Sequence, residues 1–183
     1  MKPKNILVTG SFSVGKSSVT EKLEQKIPQE QRMVTYDQAR WYMKERNLNA
    51  NNMSDIQKHE MQLFVIAAYM GAIIHSSRTH IMGVLDGSLI EARAYSEGIV
   101  NEEILNSIDK RLMDYKNHSI AYVIPPTIPL ENDGLRHNDK EFRIAIHEKV
   151  MHIIEKFQIP HKFILSEGPA RRAKEILTLH NNQ

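Results

Sequence analysis

Gly10, Gly15, Lys16 and Ser17 stand in the stretch GSFSVGKSS at the spacing G-x-x-x-x-G-K-[ST]. That spacing suits one task, holding a chain of phosphates. Glycines let the backbone curl until successive N–H groups converge, and a helix opening near Gly15 adds its positive end. Lys16 then reaches the β- and γ-phosphates, and Ser17 a Mg²⁺ ion. Gly10, Ser13, Val14, Gly15, Lys16, Ser17 and Ser18 are therefore the candidate nucleotide-binding residues, with ATP and Mg²⁺ as the expected cofactors. The bland alternative is a glycine turn with a surface lysine. The position of the stretch, after the apolar ILVT and before the helical VTEKLEQKI, argues against it.

Carboxylates and arginines at strand ends complete a phosphoryl-transfer set. Asp86 ends the apolar run HIMGVLD, where a phosphate-binding α/β fold places an acidic residue near the metal or the acceptor hydroxyl; a helix cap is its other reading. In TYDQARWY, Asp37 and Arg40 fall at a helix start, one turn apart. Asp37 can orient an acceptor hydroxyl or merely cap the helix, and Trp41 can stack on a planar base or pack in the core. Arg136, in DGLR, is the candidate for neutralising the transferring group. Arg143, Arg171 and Arg172 can help or can simply be solvated. The histidine pairs His75/His80 and His147/His152 are five apart and no H-E-x-x-H occurs, so helical zinc geometry is missing. Magnesium is the expected metal.

Those residues need a scaffold, and the chain is of a kind to supply one. Its 183 residues, 41% hydrophobic and 25% charged, suit one buried core, so a single domain over 1–183 is expected. A net charge of +2 advertises no polyanion or membrane partner, and the absence of cysteine excludes disulfides and thiolate chemistry. No signal-peptide or membrane-spanning run occurs, which predicts a cytoplasmic protein. Strand-like KNILVT, RMVTY, HIMGVLDG, SIAYVIP and HKFIL alternate with helical patterns over 15–26, 38–46, 56–77, 89–96, 102–115, 139–157 and 169–179. Such alternation implies a mostly parallel five-stranded sheet covered by helices in a three-layer α/β fold. PPTIPLENDG interrupts it where carboxyl ends of strands bind ligands, and about 125–143 is expected to act as a lid.

GSFSVGKSSV, YDQAR, LDGSLIEARAY and LENDGLR before a long helix resemble, in this order, the nicotinamide-riboside kinase domains of NadR-type proteins, within the NadR-like ATPase-kinase group. The resemblance runs over roughly residues 4–175. It implies a P-loop kinase with sheet order 2-3-1-4-5, Asp37 in the acceptor pocket, Asp86 as the carboxylate of the third strand, and Arg136 in a mobile lid. DGSLIEARAYSEGIVNEE also looks like the D/E-R-S segment of deoxynucleoside kinases, with Gly87 where they have arginine. The expected activity is ATP- and Mg²⁺-dependent phosphorylation of a hydroxyl on a nucleoside-like small molecule, nicotinamide riboside first. Two alternatives stay open: a kinase acting on a modified base such as 5-hydroxymethyluracil, or on an end, in DNA; and a non-catalytic ATP- or GTP-binding switch. Oligomeric state is not legible.

Overall fold

The computed structural model describes residues 5–79, 81–130 and 139–182. Five strands, β1 (Asn5–Thr9), β2 (Arg32–Thr35), β3 (Met82–Asp86), β4 (Ser119–Val123) and β5 (His161–Phe163), form one sheet in the order β2-β3-β1-β4-β5. Every pairing is parallel, with Val8 of β1 flanked by Asp86 and Tyr122. The strand order is the one the resemblance implied.

Parallel strands need crossovers, and the helices supply them on both faces. They are α1 (Lys16–Glu24), α2 (Gln38–Glu45), α3 (Asp55–Thr79), α4 (Leu89–Ser96), α5 (Glu102–Tyr115), α6 (Lys140–Lys156) and α7 (Pro169–Asn181). Alternate residues of the central strands enter different cores. Ile6, Val8, Val84, Ile120 and Tyr122 pack beneath α1 and α7, while Leu7, Leu85, Ala121 and Val123 pack against α3 to α6. Burial on both faces explains why these strands read as continuous apolar runs. Helix α3 begins in a capping box, in which Ser54 accepts from the Gln57 N–H and the Gln57 side chain accepts from the Ser54 N–H. Among the described residues no helix is long and apolar enough to cross a membrane.

Candidate active site

The segment from Gly10 to Gly15 leaves the carboxyl end of β1, at the sheet centre, and delivers Lys16 to the first turn of α1. Its glycines are required. Gly10 has φ +138°, and a Cβ there lies 2.5 Å from the Ile124 carbonyl oxygen. Gly15 caps α1 in the left-handed region at φ +87°. Ser13 also has positive φ, at 54°, a strained conformation that needs outside support.

That support comes from three buried side chains remote in sequence. Arg143, 3% exposed on α6, donates to the Ser13 and Ile128 carbonyls at 3.2 and 2.9 Å. Arg172, 6% exposed on α7, donates to the Val14 and Ser166 carbonyls at 2.9 and 2.8 Å. On the other side the Gly10 N–H donates to Glu91 Oε1 at 3.2 Å. Lys16 folds back, donating to the Gly10 and Ser11 carbonyls at 2.9 and 2.7 Å.

Glu91 was not legible as a site residue. It lies on α4, whose Leu89, Ile90, Ala92 and Ala94 are all buried, and it accepts from the Ser88 hydroxyl at 2.6 Å. Burial raises its pKa, against the charge of Lys16 and the hydrogen bond from Ser88, which lower it. A carboxyl flanked by Leu89, Ile90, Ala92 and Ala94 was the available signal. Its pairing with Ser88 as S-x-x-E reads as a local capping box, which hides the contact with the loop.

A cavity of about 280 Å³ opens beside the loop. Lys16, Asp37, Asp86 and Glu91 line it, with Phe12, Tyr95 and Phe142 among its aromatic walls and Met43, Met61, Val65 and Ile146 among its apolar ones. Phe142 packs on Phe12 and edge-on to Tyr95, at centroid distances of 5.9 and 6.4 Å. Gln62 is buried in the same wall, its side-chain amide 3.3 Å from the Ser96 hydroxyl, which donates to the Ala92 carbonyl at 2.6 Å.

Three sequence candidates, Lys16, Asp37 and Asp86, thus meet in one cavity. Asp37 also caps α2, accepting from the Arg40 N–H at 3.0 Å. Asp86 does not cap α4, because Ser88 does, accepting from the Ile90 N–H at 3.1 Å. Arg40 and Trp41 lie outside the cavity lining; Trp41 is 51% exposed and stacks on Phe64. Arg171 is exposed on α7. Ser17 and Ser18 occupy the first turn of α1. Arg136, and with it residues 131–138 of the expected lid, lies outside the described residues.

The residues fit a magnesium ion held jointly with phosphates. Asp86 ends β3, which pairs with β1, and the loop that leaves the same end of β1 leads to Ser17 in the first turn of α1. Among the described residues no group of three or more His, Asp or Glu is arranged to hold a metal by itself. Mg²⁺ in nucleotide sites takes one or two protein ligands and completes its shell with phosphate oxygens and water.

A phosphate loop between the central strand and its helix, in a parallel sheet ordered 2-3-1-4-5, defines the P-loop NTPase class. Within that class the chain belongs to an AAA domain family, whose model matches residues 5–172. Among curated proteins, none matches it by sequence. Solved structures similar in fold include a NadR protein in complex with NR, 19% identical with a TM-score of 0.65, aligned over 99% of this chain and 52% of that one. A NadR protein with NAD and AMP-PNP is 17% identical at 0.62, over 98% and 49%. Deoxyadenosine kinase from M. mycoides, with dCMP and a flexible dCDP, is 12% identical at 0.59, over 97% and 98%. The chain spans about half the length of the NadR chains it matches. The two families it resembles in sequence are those it resembles in fold.

Proposed function

We propose that the protein transfers the γ-phosphoryl group of ATP to a hydroxyl of a nucleoside-like small molecule, with nicotinamide riboside the first acceptor to test. One observation carries the reading: Lys16 of the phosphate loop and the carboxylates of Asp37 and Asp86 line the same cavity, whose other walls are aromatic and apolar. A small, mostly apolar pocket with a few convergent polar groups suits a planar ring joined to a sugar. The fold-neighbours hold NR and dCMP, which supports this acceptor class.

Phosphoryl transfer needs little covalent help from the protein; it needs positioning and compensation of charge. Lys16 swings from the Gly10 and Ser11 carbonyls to the β- and γ-phosphates. Ser17 and Asp86 are the residues that would hold Mg²⁺, which would neutralise charge on the phosphate oxygens. Asp37 or Asp86 accepts a hydrogen bond from the acceptor hydroxyl and aims its oxygen at the phosphorus. Phe142 and Tyr95 pack on the ring, and the Gln62 amide meets a ring substituent. Arg136 is the cation assigned by the family resemblance to neutralise charge on the transferring group.

A panel of nucleosides, together with a DNA oligonucleotide, incubated with γ-labelled ATP and Mg²⁺ tests the reading. Label is expected on a nucleoside, with Lys16→Ala lowering kcat by about 10³-fold or more and Asp37→Ala by roughly 10²- to 10³-fold. An unchanged rate in Lys16→Ala, or label on the oligonucleotide alone, overturns it.

A further inference from the structure

Helix α3 is apolar on two sides, and a cover for one face of a sheet needs only one. Met61, Gln62, Val65 and Tyr69 turn inward and line the cavity. On the opposite side Leu63, Ala67, Gly71 and Ile74 recur at steps of four or three residues. The same steps carry the stripe to Glu60 and Ile56 at one end and to Arg78 at the other, and every residue on it is exposed. Among the described residues nine large hydrophobic side chains are exposed, and three of them lie here, Ile56 at 73% and Leu63 and Ile74 at 38% each. A fourth, Trp41 of α2, borders the stripe through its stack on Phe64 at 5.3 Å. Single exposed apolar residues are ordinary, whereas a continuous apolar face marks an interface.

Gly71 is an independent sign. Glycine inside a helix costs about 1 kcal/mol relative to alanine, yet a Cβ at Gly71 meets nothing within 4 Å. The fold of one subunit does not ask for it; a second backbone approaching from outside does. The stripe is also complementary to itself, because an acidic residue stands near one end and a basic residue at the other. A second α3 laid antiparallel, with Glu60 opposite Arg78, sets Ala67 opposite Gly71 and Leu63 opposite Ile74 and His75. The two ion pairs then lie about 27 Å apart, at 1.5 Å of rise per residue, with the apolar stretch between them. Small residues at the crossing let the helix axes close to about 8 Å.

We infer that the protein forms a dimer of two identical copies, packed α3 against antiparallel α3 about a twofold axis that passes between Ala67 and Gly71. The two-sided apolar character of the helix is thereby explained, since its inner side walls the cavity and its outer side meets the partner. Such an isologous contact closes on itself.

Sedimentation velocity and the fluorescence of Trp41, the single tryptophan, test this on the full chain. Between about 0.1 and 100 μM the unaltered protein is expected to pass from monomer to dimer, with Trp41 emission moving to the blue as its ring leaves water. Ala67→Glu sets two carboxylates at the axis and should raise the dissociation constant by about 100-fold or more. Gly71→Leu, for which one subunit has room, should do the same by holding the axes apart. Glu60→Arg places like charges opposite each other and should weaken the dimer roughly tenfold, and adding Arg78→Glu should restore it. A monomer at every concentration overturns the inference and leaves the face to a different partner. A dimer left intact by both Ala67→Glu and Gly71→Leu also overturns it, because that dimer is built on another face. The charge exchange decides even where an axial variant fails to fold: if Arg78→Glu does not rescue Glu60→Arg, the antiparallel pairing is wrong.

Discussion

Gly87→Ala is the substitution whose cost can be followed atom by atom. The backbone there sits at φ +79°, so any side chain costs about 1–2 kcal/mol before it touches anything. The new Cβ then meets the Tyr69 hydroxyl oxygen at 2.6 Å and its ring carbon Cζ at 3.4 Å. The oxygen has to give way, and its 2.7 Å hydrogen bond to the Asp86 carbonyl goes with it, at about 1–3 kcal/mol for a buried group left unpaired. The expected destabilisation is therefore about 2–5 kcal/mol. Tyr69→Phe alone loses the same hydrogen bond, about 1–3 kcal/mol. The double variant counts that loss once, since with the oxygen gone the nearest ring atom is at a tolerable distance. Adding Tyr69→Phe to Gly87→Ala should thus cost almost nothing further, a coupling of about 1–3 kcal/mol in a double-mutant cycle. Urea unfolding of the four proteins measures it. Single losses that add to within about 0.5 kcal/mol refute the steric account, because independent sites behave in that way.

Two further expectations concern the loop's supports and two half-buried imidazoles. Arg143→Lys and Arg172→Lys should each weaken binding of a non-hydrolysable ATP analogue by roughly tenfold, since an ammonium cannot span the two carbonyls each guanidinium joins; titration calorimetry showing unchanged affinity removes the clamp reading. His147 and His180 have pKa values lowered chiefly by burial, and the Tyr122 hydroxyl meets His180 Nδ1 at 3.0 Å. The unfolded chain therefore binds more protons once pH falls through the ordinary imidazole value, about 6.5. Stability should be full above that value and decline below it, and His180→Asn should flatten the decline in melting temperature between pH 7.5 and 5.5.

What could be read from the sequence was local or fixed in spacing. The loop, the strand ending at Asp86, and the helices Leu89–Ser96 and Glu102–Tyr115 were legible because glycines, apolar runs and caps act over a few residues. The sheet order needed the family resemblance, since no pattern within a strand names its neighbour. Contacts made across the chain were invisible: Glu91 meets Gly10 from 81 positions away and Arg172 meets Val14 from 158. Arg143 and Arg172 were recognised as cations and expected near phosphate. The structure places both on carbonyls of the loop itself, a choice of partner that composition cannot express. Tyr69 was hidden for another reason, because an aromatic residue on a core-facing stripe already has a sufficient explanation in packing.

The supports of the loop are unequal in a way that bears on how nucleotide is received. Glu91 holds an N–H, and Arg143 and Arg172 hold carbonyls. All three are buried and fixed from α4, α6 and α7. None of them has to move for a phosphate to enter. Lys16 alone is held by bonds to carbonyls of its own loop, Gly10 and Ser11, and its charge faces the Glu91 carboxyl. A loop held in shape by its surroundings spends little binding energy on ordering. On the proposed reading, the step left to the nucleotide is to draw one lysine across, exchanging two neutral acceptors for a polyphosphate. The attraction that drives the exchange grows with the charge on the phosphates, so on that reading the triphosphate is expected to bind more tightly than the diphosphate.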